Sequence, residues 1–277
     1  MVDESMPRKI MIYMVALLFA TPLFAQFDFP AMNGRGAGMG DAVTALDDRE
    51  SAMYNIAALA HLDGSVVATG FRQSFMAKGM GYFSLGAATP VGFGSGAVTL
   101  VHFGNSDYNE QCASLSYGIP LGESISMGVS FHYLHSGTSD PYYEPLNRVT
   151  FSLALQYAPT EAFLVGFRAF NPVAVVSDDE RSLRVPALFN LGFSYKIMED
   201  LLAVAEVEKN LYQLATLRFG LEYIFVEDYA FRVGINTQPV IYTFGFGLRK
   251  DHFGADIAAE FHNVLGFTPL MSLNYKF

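Results

Sequence analysis

The sequence has 277 residues, a formal charge of -10, 51% hydrophobic and 14% aromatic residues, 25 glycines, no tryptophan and one cysteine, Cys112. A single cysteine excludes an intramolecular disulfide, and the acidic balance argues against nucleic acid, whose phosphates demand a basic surface. No apolar stretch reaches the ~20 residues that a spanning helix needs, so the apolar residues belong either to a soluble core or to alternate positions of membrane-facing strands.

At the start of the chain, Arg8 and Lys9 precede the apolar run Ile10 to Ala20, and Thr21-Pro22-Leu23-Phe24-Ala25 follows. This three-part form reads as a secretory signal peptide over residues 1–25. Cleavage after Ala25 would leave Gln26 at the new terminus, where a lipid anchor would require cysteine.

Residues 26–63 do not read as a strand. Gly34, Gly36, Gly38 and Gly40 recur at every second position. They complete no G-x-G-x-x-G after a strand, which argues against a dinucleotide site. Such glycines suit backbone lying close against other backbone. Asp47 and Asp48 are placed to cap a short helix over Arg49 to Leu59. The expectation is a plug or hatch segment inside a barrel.

From residue 64 to 277 the sequence reads as about fourteen alternating runs, each near the ~10 residues of a tilted membrane strand. The clearest lie near 124–136, 147–158, 215–224 and 229–237, while 64–75 and 95–104 alternate poorly. In the hairpin Thr216 to Asn236, Leu217, Phe219, Leu221 and Tyr223 oppose Arg218, Gly220 and Glu222 across the strand, which is the period-two signature. That pattern alone fits a soluble sandwich as well as a barrel turned inside out.

The connections favour the barrel. Short ones, such as Pro159 to Glu161 and Val226 to Asp228, alternate with longer ones, of which Ser136 to Leu146 and Asn171 to Val185 are the longest. Short periplasmic turns and longer outer loops are the asymmetry of outer-membrane barrels. Tyr117, Tyr157, Tyr195, Tyr223 and Tyr275 end apolar faces near the short-turn side, where an interfacial girdle belongs. Leu273, Tyr275 and Phe277 alternate to the last residue, and this ending resembles the insertion signal read by the barrel-assembly machinery. The fold expected is all-β: a transmembrane antiparallel β-barrel of about 14 strands, in the bacterial outer membrane and in contact with its lipid.

The stretch from Gly34 to Ala60 resembles the N-terminal signature of the PorV/PorQ-like outer-membrane proteins, related in architecture to the FadL-type barrels. The residues that carry it include Gly34, Gly36, Gly38, Met39, Gly40, Asp48, Asn55 and Ala57. Where those proteins usually have Asn-Pro-Ala followed by Gly-Leu, this chain has Asn55-Ile56-Ala57 and then Ala58-Leu59. The resemblance implies a Bacteroidota-like source and one of two activities. The first is service to type IX protein secretion, with secretion-system proteins or exported cargo as partners. The alternative is gated uptake of a hydrophobic ligand.

If the apolar faces meet lipid, the lumen receives Arg148, Arg168, Glu206, Glu208, Arg218, Glu222, Arg232, Arg249, Asp256 and Glu260, with Ser84, Cys112, Ser114 and Ser116 on earlier strands. These charges suit a neutralised network that holds a plug. His132 and His262 share the inward parity, and His135 beside Ser136 is expected in a loop. No H-E-x-x-H or G-x-S-x-G motif accompanies them, so the reading is non-enzymatic, with no cofactor and no metal.

Overall fold

The computed structural model describes residues 27, 29–47, 54–172, 185–211, 213–226 and 228–277. The proposed signal peptide, Asp48, residues 49–53 of the expected helix and residues 173–184 of the longest loop lie outside them. Fourteen strands form one closed barrel. They are β1 (Val66–Gln73), β2 (Gly81–Val91), β3 (Gly94–Gly104), β4 (Tyr108–Pro120), β5 (Ile125–Thr138), β6 (Leu146–Thr160) and β7 (Phe163–Phe170), then β8 (Leu188–Met198), β9 (Leu201–Asn210), β10 (Thr216–Val226), β11 (Tyr229–Thr237), β12 (Val240–Lys250), β13 (Phe253–His262) and β14 (Gly266–Lys276).

Each strand pairs antiparallel with its sequence neighbours, and β1 closes on β14 through pairs such as Val66 with Lys276 and Arg72 with Leu270. Closure leaves no free edge, which satisfies the backbone within a bilayer. The Phe277 amide adds a last bond, 2.8 Å to the Ser65 carbonyl. Leu273, Tyr275 and Phe277 all face outward.

Burial confirms which face is which. Phe83, Leu100, Leu115, Phe131, Phe219 and Phe244 are exposed on the outside, whereas Ser84, Ser130, Ser152, Arg232 and Asp256 are buried within. A soluble sandwich would have the reverse arrangement. Tyr157, Tyr195, Tyr223, Tyr229, Phe253 and Tyr275 ring the short-turn end, which supplies the interfacial girdle. Tyr117 at the same level bonds the Val91 carbonyl at 2.9 Å and packs edge-on to Phe93.

The described part of residues 29–62 lies inside the barrel and is termed the plug. It contains one short helix, α1 (Gly34–Gly38), and a 3-10 turn at Ala57–His61. Its order along the wall is legible from close approaches to glycine. A Cβ at Gly70 of β1 would stand 1.9 Å from the Met32 carbonyl oxygen; one at Gly220 of β10, 2.5 Å from Met39 Cβ; and one at Gly166 of β7, 2.0 Å from the Thr44 carbonyl oxygen. At β5, Gly128 is in similarly close contact with Ile56. The plug therefore runs around the wall from β1 past β13 and β12 to β10, β7 and β5.

Three of these contacts use glycines paired across neighbouring strands: Gly220 with Gly234, Gly166 with Gly192, and Gly118 with Gly128. Each pair leaves a bare patch of sheet on which plug backbone rests. Glycine in a strand interior weakens the strand, so the close approach is what these positions supply in return. Gly40, with φ +71, turns the chain beyond α1.

Candidate functional site

Side chains fasten the plug to the wall at several levels. The Gly34 amide donates to Ser272 Oγ at 2.8 Å, and the Gly40 amide to Thr243 Oγ1 at 3.0 Å, while Thr243 returns a bond to the Gly38 carbonyl at 2.9 Å. The Thr44 amide donates to Glu206 at 2.8 Å. Asn55 ties the two described parts of the plug together. Its Nδ2 donates to the Thr44 and Leu46 carbonyls at 3.0 and 2.8 Å, and its Oδ1 accepts from the Ala57 and Ala58 amides at 3.2 and 3.4 Å. The same side chain caps the 3-10 turn and staples the preceding loop.

Among the described residues, buried ion pairs form three groups. In the first, Arg35 of α1 donates to Glu222 at 2.9 and 2.6 Å; Arg232 also donates to Glu222, at 2.6 Å, and to Asp256 at 2.5 Å. Gly247 makes room for the Arg232 head group, because a Cβ there would lie 2.6 Å from its terminal nitrogens. In the second group, Arg72 bridges Glu260 at 2.5 Å and plug residue Asp41 at 3.3 Å. In the third, Arg218 bridges Glu206 at 3.0 Å and Glu208 at 2.8 Å, and Asn190 donates to both carboxylates. Unpaired, such charges would cost several kcal/mol each (about 3–5 on losing one partner).

Seven of the expected lumen charges join these groups: Glu206, Glu208, Arg218, Glu222, Arg232, Asp256 and Glu260. Arg168 faces the lumen from β7, half-buried beside Phe170. Arg249 is half-buried near the short-turn end of β12. Arg148 lies near the outer end of β6 and donates to the Asn147 carbonyl at 3.0 Å. The sequence reading missed Arg35, Asp41 and Arg72, which complete the groups from the plug and from β1.

The histidines separate. His132 is buried in β5, with Ser114 Oγ 2.7 Å from Nδ1 and Ser152 Oγ 2.8 Å from Nε2. Cys112 Sγ lies 3.4 Å from Ser114 Oγ, and Ser116 donates to Ser130 at 2.8 Å. Both ring nitrogens are taken by hydroxyls, so the arrangement lacks the orienting acid of a hydrolytic triad. His262 accepts the Val264 and Leu265 amides at 3.1 Å and so caps its own turn. The expected loop position of His135 and Ser136 is corrected: both belong to β5, which runs on to Thr138 because Gln111 and Glu110 of β4 pair with them.

Between the plug and the long-loop end lies a chamber of about 360 Å³. Met32, Val43, Tyr54 and Ile56 of the plug contribute its floor. One wall holds the Arg72 and Arg218 groups, and the opposite one the serines and His132, with Phe170, Leu188 and Phe29 adding apolar surface. Ser74 and Phe75 of the turn Ser74–Met76 also line it, and Phe75 and Met76 adopt φ of +55 and +56. The Phe75 amide is held by Thr268 Oγ1 at 2.8 Å.

No protein-family model matches the sequence, and no curated protein matches it significantly. Solved structures do match the fold. The Ralstonia pickettii toluene transporter TbuX has a TM-score of 0.67 at 11% identity, with 91% of this chain and 100% of that chain covered. A Pseudomonas aeruginosa FadL homologue gives 0.66 at 11% identity, covering 90% and 99%. The Pseudomonas putida toluene transporter TodX gives 0.63 at 11%, covering 90% and 97%. The chain thus has the architecture of FadL-type outer-membrane barrels. Its place is the bacterial outer membrane.

Proposed function

We propose that this barrel is a gated uptake channel for hydrophobic small molecules. The observation that carries the reading is the chamber: it lies in the long-loop half of the barrel, is lined by both apolar and polar side chains, and has plug residues in its lining. A ligand arriving from outside meets a pocket of the size and mixed lining typical of small-molecule sites. It passes on only when the floor yields. The structural neighbours named as toluene transporters support the same reading.

Uptake of radiolabelled toluene by Gram-negative cells lacking their own such channel tests it. Cells carrying the barrel should accumulate the probe several-fold faster than cells with an inserted but plug-locked variant. Equal rates would overturn the reading.

A second reading, surface delivery of exported proteins in the manner of PorV-like proteins, draws on the outer loop between β5 and β6, where Tyr142 is 93% and Tyr143 68% exposed. It gains no support from the structural neighbours. Affinity purification in mild detergent separates the two, since recovery of secretion components in stoichiometric amounts, without enriched hydrophobic ligand, would favour delivery.

A further inference from the structure

The chamber has a polar chemistry of its own, and this inference rests on the uptake reading. Along the wall formed by β4, β5 and β6, Ser114, His132 and Ser152 form one hydrogen-bonded string and Ser116 with Ser130 another. Each link consumes a donor. A hydroxyl carries one donor and two acceptor lone pairs, so what remains for a ligand is chiefly lone pairs. Opposite them stand Asp41, Glu206 and Glu208, which accept only, while Arg72 and Arg218 of that wall give their terminal nitrogens to carboxylates and Arg72 keeps only a buried Nε without a partner among the described residues. The lining's arginines, Arg72, Arg168 and Arg218, are matched in formal charge by its three carboxylates.

Such a site offers acceptors to a neutral guest. A carboxylate brings further lone pairs and an unbalanced charge, and would be desolvated without compensation. Size narrows the choice further. A cavity of roughly 150 Å³ holds benzene, so about 360 Å³ accommodates one substituted ring or a short chain.

We infer that the ligand held in the chamber is an uncharged, compact amphiphile with a hydroxyl donor, such as a phenol or an aromatic alcohol, and that the serine and histidine wall accepts its hydrogen bond. The class differs from both a plain hydrocarbon and an acid.

Three probes of one shape test it: p-cresol, toluene and p-toluate. Equilibrium dialysis would use the full-length barrel in phosphatidylethanolamine and phosphatidylglycerol nanodiscs, with empty discs as the blank. The expected result is p-cresol at least tenfold tighter than toluene, with p-toluate weakest. The Ser114→Ala, Ser152→Ala double variant should lose that preference while toluene binding stays within twofold. Equal binding of toluene and p-cresol would overturn the inference and leave the uptake reading standing. Tightest binding by p-toluate would also overturn it. Binding of none above the blank would overturn both.

Discussion

Arg35 of the plug and Glu222 of β10 are joined by two hydrogen bonds, at 2.9 and 2.6 Å, and both side chains are buried. Glu222 is shared with Arg232, which in turn holds Asp256. Two arginines and two carboxylates are thus linked beneath α1, with Arg249 also acting on Glu222. Replacing Glu222 alone leaves two guanidinium groups around one carboxylate, and a buried pair broken in this way costs about 3–5 kcal/mol. The double variant Arg35→Met, Glu222→Met retains the Arg232 and Asp256 pair and removes one charge of each sign. It should be less destabilised than Glu222→Met alone, a non-additivity typical of directly coupled groups. The temperature at which the barrel loses its fast-migrating form on heated gels measures this. A double variant weaker than either single one would show that the pair is not coupled.

The contact between Gly166 and Thr44 predicts a different defect. A Cβ at Gly166 would lie 2.0 Å from the Thr44 carbonyl oxygen, and that atom belongs to backbone that cannot step aside locally. Gly166→Val should therefore expel this part of the plug and leave the wall intact. The expected result is a barrel with normal heat-modifiable mobility, new protease cleavage in the plug and raised conductance in planar bilayers. Gly122 is the control, because a Cβ added there would meet no atom within 4 Å. Its alanine variant should behave as the parent does.

The wall was legible because it obeys a period. Strands such as β10 and β11 place Phe219, Leu221 and Tyr223 opposite in parity to Arg218 and Glu222, and that parity puts the charges in the lumen. Arg72 escaped because its strand has Val66, Ala68 and Gly70 on one face and Val67, Thr69 and Phe71 on the other. With small or apolar residues on both sides, parity carries no information. The glycine pairs depend on register between strands, as does the string from Ser114 through His132 to Ser152. Neither can be read from one strand at a time. The plug repeats glycine at Gly34, Gly36, Gly38 and Gly40 but has no apolar–polar alternation, so its glycines signalled close backbone contact while its course around the wall could not be inferred.

Asn55 allows two of its roles to be tested apart. Asn55→Asp keeps an oxygen to accept the Ala57 and Ala58 amides but cannot donate to the Thr44 and Leu46 carbonyls. Asn55→Ala loses both sets. Leaving buried groups unpaired costs about 1–3 kcal/mol each. Hydrogen exchange should show the Thr44 to Leu46 region loosened in both variants, whereas amides of the Ala57–His61 turn should lose protection only in Asn55→Ala. Equal loss at the turn in both would mean that the cap depends on the amide donor.

Phe244 tests the membrane face itself. It lies midway along β12, is 51% exposed on the outside, and pairs with Val233 and Ala259 of the neighbouring strands. In a soluble protein an exposed phenylalanine could become arginine at little expense. At the bilayer midplane the same change costs about 2–4 kcal/mol and falls toward 0–1 near the interfaces. Phe244→Arg should accordingly lower barrel stability in lipid vesicles by that amount. Tyr275→Arg, placed in the girdle, should be nearly neutral by comparison. The measurement is reversible urea unfolding in thin phospholipid vesicles, and equal effects at the two positions would remove the case for a hydrocarbon band centred on Phe244.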